Sequence, residues 1–140
     1  MGLDALCNDT YARCGSYSFV DEMHMYLLIA LKDYLELGEC DFQEKDEMVS
    51  ILVELLAQDD FYLPRKKESL FWRNNLDGFF PLIAIHDQGY LSSYEAQRFL
   101  QTYDIVREYI HHSLQDKNTN FYMQYIFEEA VKSDESITFS

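Results

Sequence analysis

Three cysteines and four histidines are the side chains of this 140-residue chain best suited to metal or nucleophile chemistry. Cys7, Cys14 and His24 form one loose grouping, and a structural zinc site would need four nitrogen or sulfur ligands at close spacing. Six residues lie between Cys7 and Cys14, where zinc motifs usually leave about two to four. Cys14 and His24 also have the residue types of a nucleophile and its base, but nothing in their spacing puts them in contact. His111 and His112 are adjacent, so on a helix they point about 100° apart and do not converge as an i, i+4 pair would. They read as surface groups near a helix C-terminus. Carboxylates are too numerous for any acid–base pair to stand out. The sequence holds neither a phosphate-cradling glycine loop nor a Gly-x-Ser-x-Gly elbow. The expectation is therefore no catalytic residue, no cofactor and no metal. A hydrolase with a site near Cys14 and His24 is the minority reading.

The sharpest local pattern is Gly89-Tyr90-Leu91-Ser92-Ser93-Tyr94-Glu95. It resembles the second half of an EF-hand calcium loop, with a turn glycine, an apolar residue two later and a closing Glu six after the glycine. The first half departs from that pattern. Its ligand positions fall on Ala84, His86 and Gln88, where calcium needs several oxygen donors. The spacing thus predicts no calcium at this loop. An EF-hand-like helix-loop-helix over residues 79–113, degenerate and metal-free, would make the chain a regulatory or ligand-responsive domain.

Charge is the strongest whole-chain signal. Eleven basic residues stand against twenty-five acidic ones, a net of −14. Residues 1–60 carry three basic and fourteen acidic residues, whereas residues 61–140 carry eight and eleven. The densest acidic stretch is Glu36, Glu39, Asp41, Glu44, Asp46 and Glu47. Such a balance argues against gripping a phosphate backbone, where cationic side chains must displace condensed counterions. It suits a surface that steers a basic partner. The cluster Arg65-Lys66-Lys67 is a candidate internal neutraliser of that patch.

The elements that would carry these residues read as helices. A capping box over Ser18–Asp21 opens the longest, with Phe19, Met23, Tyr26, Leu27, Ala30, Leu31, Tyr34 and Leu35 at helical spacing. Asp21, His24, Lys32, Asp33 and Glu36 fall largely on its other side, and Gly38 is the stop, through a left-handed C-terminal conformation. A second helix runs from about Glu44 to Gln58. Residues 67–88 give a short turn at Leu70–Trp72 and then an apolar run, Phe79–Ile85, preferred as helix over strand, with Asp77 as cap. Ser92–Glu95 is another capping box and opens a helix to about Ser113. Asn118 or Thr119 caps a last helix to about Lys132. Residues 1–17 show no periodicity and 133–140 read as a frayed tail whose Ile137 and Phe139 can tuck back. The expected fold is one all-α domain over 1–140, a bundle of about five helices with short connections.

The cysteine count is odd and low, which suits reduced thiols in a cytoplasmic protein. No secretory signal is expected, and no apolar run approaches the ~20 residues that span a bilayer. Tyr11, Tyr17, Tyr62 and Tyr90 lie outside the helix stripes, where tyrosine suits a contact face. The function that follows is a small acidic interaction module. In its most concrete form it is an immunity-type inhibitor or nucleic-acid mimic that docks a basic protein surface through the six carboxylates of residues 36–47.

Overall fold

The computed structural model describes residues 2–140. The chain opens with two strands, β1 (Gly2–Cys7) and β2 (Thr10–Ser16), which pair antiparallel around a turn at Asn8 and Asp9. Leu3, Ala5 and Cys7 of β1 are buried together with Ala12 and Cys14 of β2, while Leu6, Tyr11 and Arg13 face outward. Asn8 holds φ at 53°, a left-handed conformation that asparagine tolerates better than most residues. The segment expected to be irregular is therefore a hairpin. Its inward positions are alanine and cysteine as much as leucine, so the period-two signal is faint.

The tail is corrected as well. Residues Ile137–Phe139 form β4, which inserts between β1 and β3 (Gly89–Leu91). The result is a four-stranded antiparallel sheet in the order β2-β1-β4-β3. Ala5 pairs with Phe139, and Leu91 pairs with Ile137. Ile137 and Phe139 are fully buried. The all-α bundle of about five helices thus gives way to a mixed α/β fold, with six helices and one sheet among the described residues. Strands of three residues show no readable alternation, and only pairing with distant segments makes them strands.

The helices are α1 (Tyr17–Leu37), α2 (Lys45–Leu56), α3 (Arg65–Arg73), α4 (Phe80–Ile83), α5 (Ser93–Val106) and α6 (Gln124–Ser133). The cap of α1 is Ser16, whose Oγ accepts from the Phe19 N–H at 3.2 Å, and not Ser18. Helix α1 stops at Gly38 as expected, but for another reason. Its φ is −79°, and a Cβ there would sit 2.5 Å from the Tyr34 carbonyl oxygen. The reciprocal box Ser92–Glu95 opens α5 as the sequence indicates. Helix α5 then ends at Val106, and two 3-10 turns carry the chain through Tyr109 and Leu114. The last helix begins later than expected, after Phe121 and Tyr122 have already packed as loop residues.

One face of the sheet is covered by α1, α5 and α6. Between them lies an aromatic cluster in which Phe99 stacks on Phe127 at 4.3 Å and meets Phe121 at 4.8 Å and Phe79 at 5.1 Å. Buried Thr102 on α5 fastens the α3–α4 connection. Its Oγ1 accepts from the Gly78 N–H at 2.9 Å and donates to the Asn75 carbonyl at 3.0 Å. Gly78 must be glycine, because a Cβ would lie 2.2 Å from the Arg98 carbonyl oxygen. Beside it Arg98 and Asp77 form a largely buried ion pair, so Asp77 serves as a charge partner and not as a helix cap.

With β4 inside the sheet, Phe139→Ala should destabilise the fold by about 3–5 kcal/mol, as for a buried aromatic truncated in a core. Urea unfolding followed by circular dichroism measures this. A loss under 1 kcal/mol, the scale of a surface change, would mean that the tail does not hold the sheet.

Candidate functional site

Four of the six carboxylates at 36–47 follow one another around the corner where α1 ends and α2 begins: Glu36 in the last turn of α1, Glu39 and Asp41 in the connection, Glu44 at its close. Asp46 and Glu47 occupy the first turn of α2, where the positive end of the helix dipole favours them. All are exposed except Glu44, which is half-buried. Three already have cations. Lys32 reaches Glu36 at 2.8 Å, Lys67 reaches Glu47 at 2.9 Å and Arg73 reaches Glu44 at 3.2 Å. Helix α3 therefore neutralises part of the patch, through Lys67 of the basic cluster and through Arg73. Glu39, Asp41 and Asp46 form no ion pair among the described residues.

The fold adds neighbours that sequence order does not show. A groove of about 530 Å³ lies between the end of α1 and the end of α5, lined by Leu37, Glu39, Asp104, Ile105, Arg107 and Glu108 among others, with Arg107 paired to Asp104 at 2.7 Å. Leu37 is 71% exposed, the most exposed aliphatic side chain among the described residues. Asp104 and Glu108 come from the less acidic half of the chain and join the corner only through packing. Their signal in the sequence was too ordinary to find: two carboxylates on the outward side of a helical stripe.

The tyrosines outside the stripes divide by place. Tyr62 is exposed in the α2–α3 connection. Tyr11, Leu6, Thr138 and Tyr90 form one row across the uncovered face of the sheet, each paired with the next. A second cavity of about 390 Å³ lies over Leu28, Leu55, Phe61, Phe80 and Ile83, with Arg65 and Glu95 at its polar side. Glu95 is committed elsewhere too: its Oε1 accepts from the Ser92 N–H at 2.9 Å, closing the capping box. In the region compared with an EF-hand, α4 is a single turn and Gly89–Leu91 is a strand of the sheet.

Cys7, Cys14 and His24 do not gather. Cys7 faces the Glu135 carbonyl oxygen at 3.9 Å. Cys14 is buried, and burial pushes its thiol up to about 12, which keeps it protonated and unreactive as a nucleophile. His111 stacks flat on Tyr26 at 3.9 Å, with His112 against it.

His24 has different company from that expected. The sequence places it on the polar side of α1, yet it is 1% exposed. The α2–α3 and α4–β3 connections cover that side, bringing Phe61 within 6.4 Å and His86 within 5.5 Å of its ring. Neither ring nitrogen of His24 has a hydrogen-bond partner. Burial first, and the neighbouring His86 second, push its pKa down to about 4, so the ring is neutral at pH 7. Asp21 lies one turn earlier on the same face of α1, and its carboxylate, His24 and His86 offer three donor atoms all within 4.8 Å of one another. These are the residues whose types suit a metal ion. His86 was read only as a misfit in a calcium loop, and its approach to His24 is a product of tertiary folding.

Among the described residues no helix is long and apolar enough to cross a membrane. Comparison of the chain with family models, with curated proteins and with solved structures found no match.

A buried imidazole with two idle nitrogens destabilises the metal-free fold. In the presence of a chelator at pH 7, His24→Leu should raise stability by about 1–3 kcal/mol, the cost of a buried unsatisfied polar group. Urea midpoints at unchanged slope measure it. A clear loss of stability would show that the imidazole makes an interaction of its own.

Proposed function

We propose that this chain is a protein-interaction module whose acidic corner docks a basic partner segment carrying one apolar anchor. The observation that supports this most is Leu37, held in water at 71% exposure in the groove with unpaired Glu39, and with unpaired Asp41 two residues further along the connection. Interfaces combine an apolar centre with a polar rim, and the anchor supplies most of the affinity. A field of one sign supplies orientation and encounter rate. In its most concrete form the module is an immunity-type inhibitor or nucleic-acid mimic, its carboxylates standing where phosphates would. The same charge disfavours direct contact with nucleic acid. The three unpaired thiols suit a reducing compartment, the cytoplasm.

The probe is a library of Lys/Arg-rich peptides with a central Leu or Phe, screened on the purified chain. Glu39→Lys with Asp41→Lys should slow association of the selected peptide and flatten its salt dependence. Leu37→Ala should speed dissociation about tenfold, the scale of one anchor side chain. Selected peptides that bind all these folded variants with unchanged rates and salt slope would overturn the reading.

The self-neutralising pairs give a second test. Lys67→Ala with Arg73→Ala unmasks Glu47 and Glu44 and takes the net charge from −14 to −16. Because these pairs are solvent-exposed, stability should change by no more than about 1 kcal/mol for each. Association with the same peptides should become faster at low salt.

A second reading, a ligand-responsive domain, is favoured by the cavity over Phe61 and Phe80. Its apolar lining, with Glu68 and Glu95 beside Arg65 at the polar side, suits a small apolar molecule with a cationic head group. A saturable rise in melting temperature with a medium-chain alkylamine, lost in Glu68→Gln, is the result it requires.

A further inference from the structure

Three side chains, His24 among them, come together from two segments, and Asp60 from a third segment reaches one of them. Asp21 and His24 come from α1, His86 from the α4–β3 connection and Asp60 from the α2–α3 connection, with Asp60 Oδ1 lying 3.3 Å from His86 Nε2. We propose that Asp21, His24 and His86 bind a single zinc ion, with Asp60 as the outer carboxylate that holds the His86 ring.

The donor set selects the ion. Two imidazoles and a carboxylate suit zinc and its first-row neighbours, whereas calcium and magnesium take oxygen donors almost throughout. Tetrahedral zinc with bonds of about 2.0–2.2 Å needs donor atoms roughly 3.3–3.5 Å apart. The observed limit of 4.8 Å is therefore about 1.3–1.5 Å wider than a closed site. The exposed partners close that gap. Asp21 and His86 are both exposed and would turn inward on binding, His86 within its contact to Asp60, while buried His24 is the fixed point. With Asp60 on Nε2, the His86 ring would offer Nδ1 to the ion, the usual arrangement in which a carboxylate on the second nitrogen orients a ligating histidine. The ion also accounts for one of the two idle nitrogens of His24, which the protein itself leaves unpartnered. Three protein donors leave a fourth zinc position for water or a ligand. Phe61, packed against His24, also lines the apolar cavity, so that cavity and this site share a wall.

The experiment uses the full chain without an affinity tag, stripped with a chelator and titrated with zinc by calorimetry and by competition with a chromogenic chelator. One equivalent should bind, raising the melting temperature, and magnesium at the same concentration should not reproduce the shift. His86→Ala and Asp21→Ala alter exposed residues and should retain the fold, checked by circular dichroism. Each should weaken zinc by more than the ~10–100-fold typical of outer-shell losses, and Asp60→Asn by an amount within that range. His112→Ala with Cys40→Ser, which remove exposed or half-buried donors elsewhere, should leave affinity unchanged. Cobalt in place of zinc should give the intense visible bands of a four-coordinate site, lost in His86→Ala. Absence of saturable zinc binding, or one equivalent bound equally well by His86→Ala, would overturn the proposal.

Discussion

The ladder between β1 and β4 is the constraint on which the rest of the structure depends. Backbone hydrogen bonds join Asp4 and Ser140 in both directions, at 2.9 and 3.0 Å, and seat the end of the chain beside its beginning. Without β4 the N-terminal hairpin and β3 would share no partner, since β4 lies between them. Strand β3 in turn fixes the loop before it, and His86 stands three residues before Gly89. The position of His86 over α1 therefore depends on a pairing that spans nearly the whole chain. Such long-range closure is entropically demanding, because the ordering cost precedes the contacts that compensate it.

What the sequence made legible follows from this. Elements held by local interactions could be read: the Ser92–Glu95 box is complete within four residues, and the α1 stripe repeats over five turns. Helix α2 fell within two residues of its expected ends. Elements held by distant partners could not be read. Cys7, Ala12 and Cys14 face the core of the sheet, but small side chains give a weak alternation, and Ile137–Phe139 is a strand only because Ala5 and Gly89 flank it. The acidic run at 36–47 was plain as a run. That Lys67 and Arg73 fold back on two of its members required the position of α3.

His24 shows the same division at a single residue. By helical period it belongs with Asp21 on the polar side of α1, and it does stand there. That side is nonetheless covered, because two connections cross it with Phe61 and His86. Period reports the face of a helix on which a residue lies. It does not report which faces later segments bury. The aromatic cluster around Phe99 is the converse case. Phe121 lies before the helix it was assigned to, yet packs in the core as expected, because burial of a large aromatic ring does not require helical geometry.

The acidic corner and the His24 cluster differ in what their presence demands physically. A solvated carboxylate is nearly neutral for folding: at the ~8 Å screening length of physiological salt its repulsions reach only near neighbours, and water satisfies its oxygens. A corner of six such groups is thus compatible with many sequences, and its meaning rests on what stands beside it, chiefly an exposed leucine in a groove. A buried imidazole is different. It loses its water and finds no partner among the described residues, which weighs against the fold, and below its ordinary pKa near 6.5 the cost grows because the buried ring resists protonation. Leucine at that position would fill similar space without the penalty. Sequences depart from local consistency mainly where a site requires it. The Asp21 carboxylate and the His86 imidazole beside His24 supply a chemical reason for that departure, which an apolar residue could not provide.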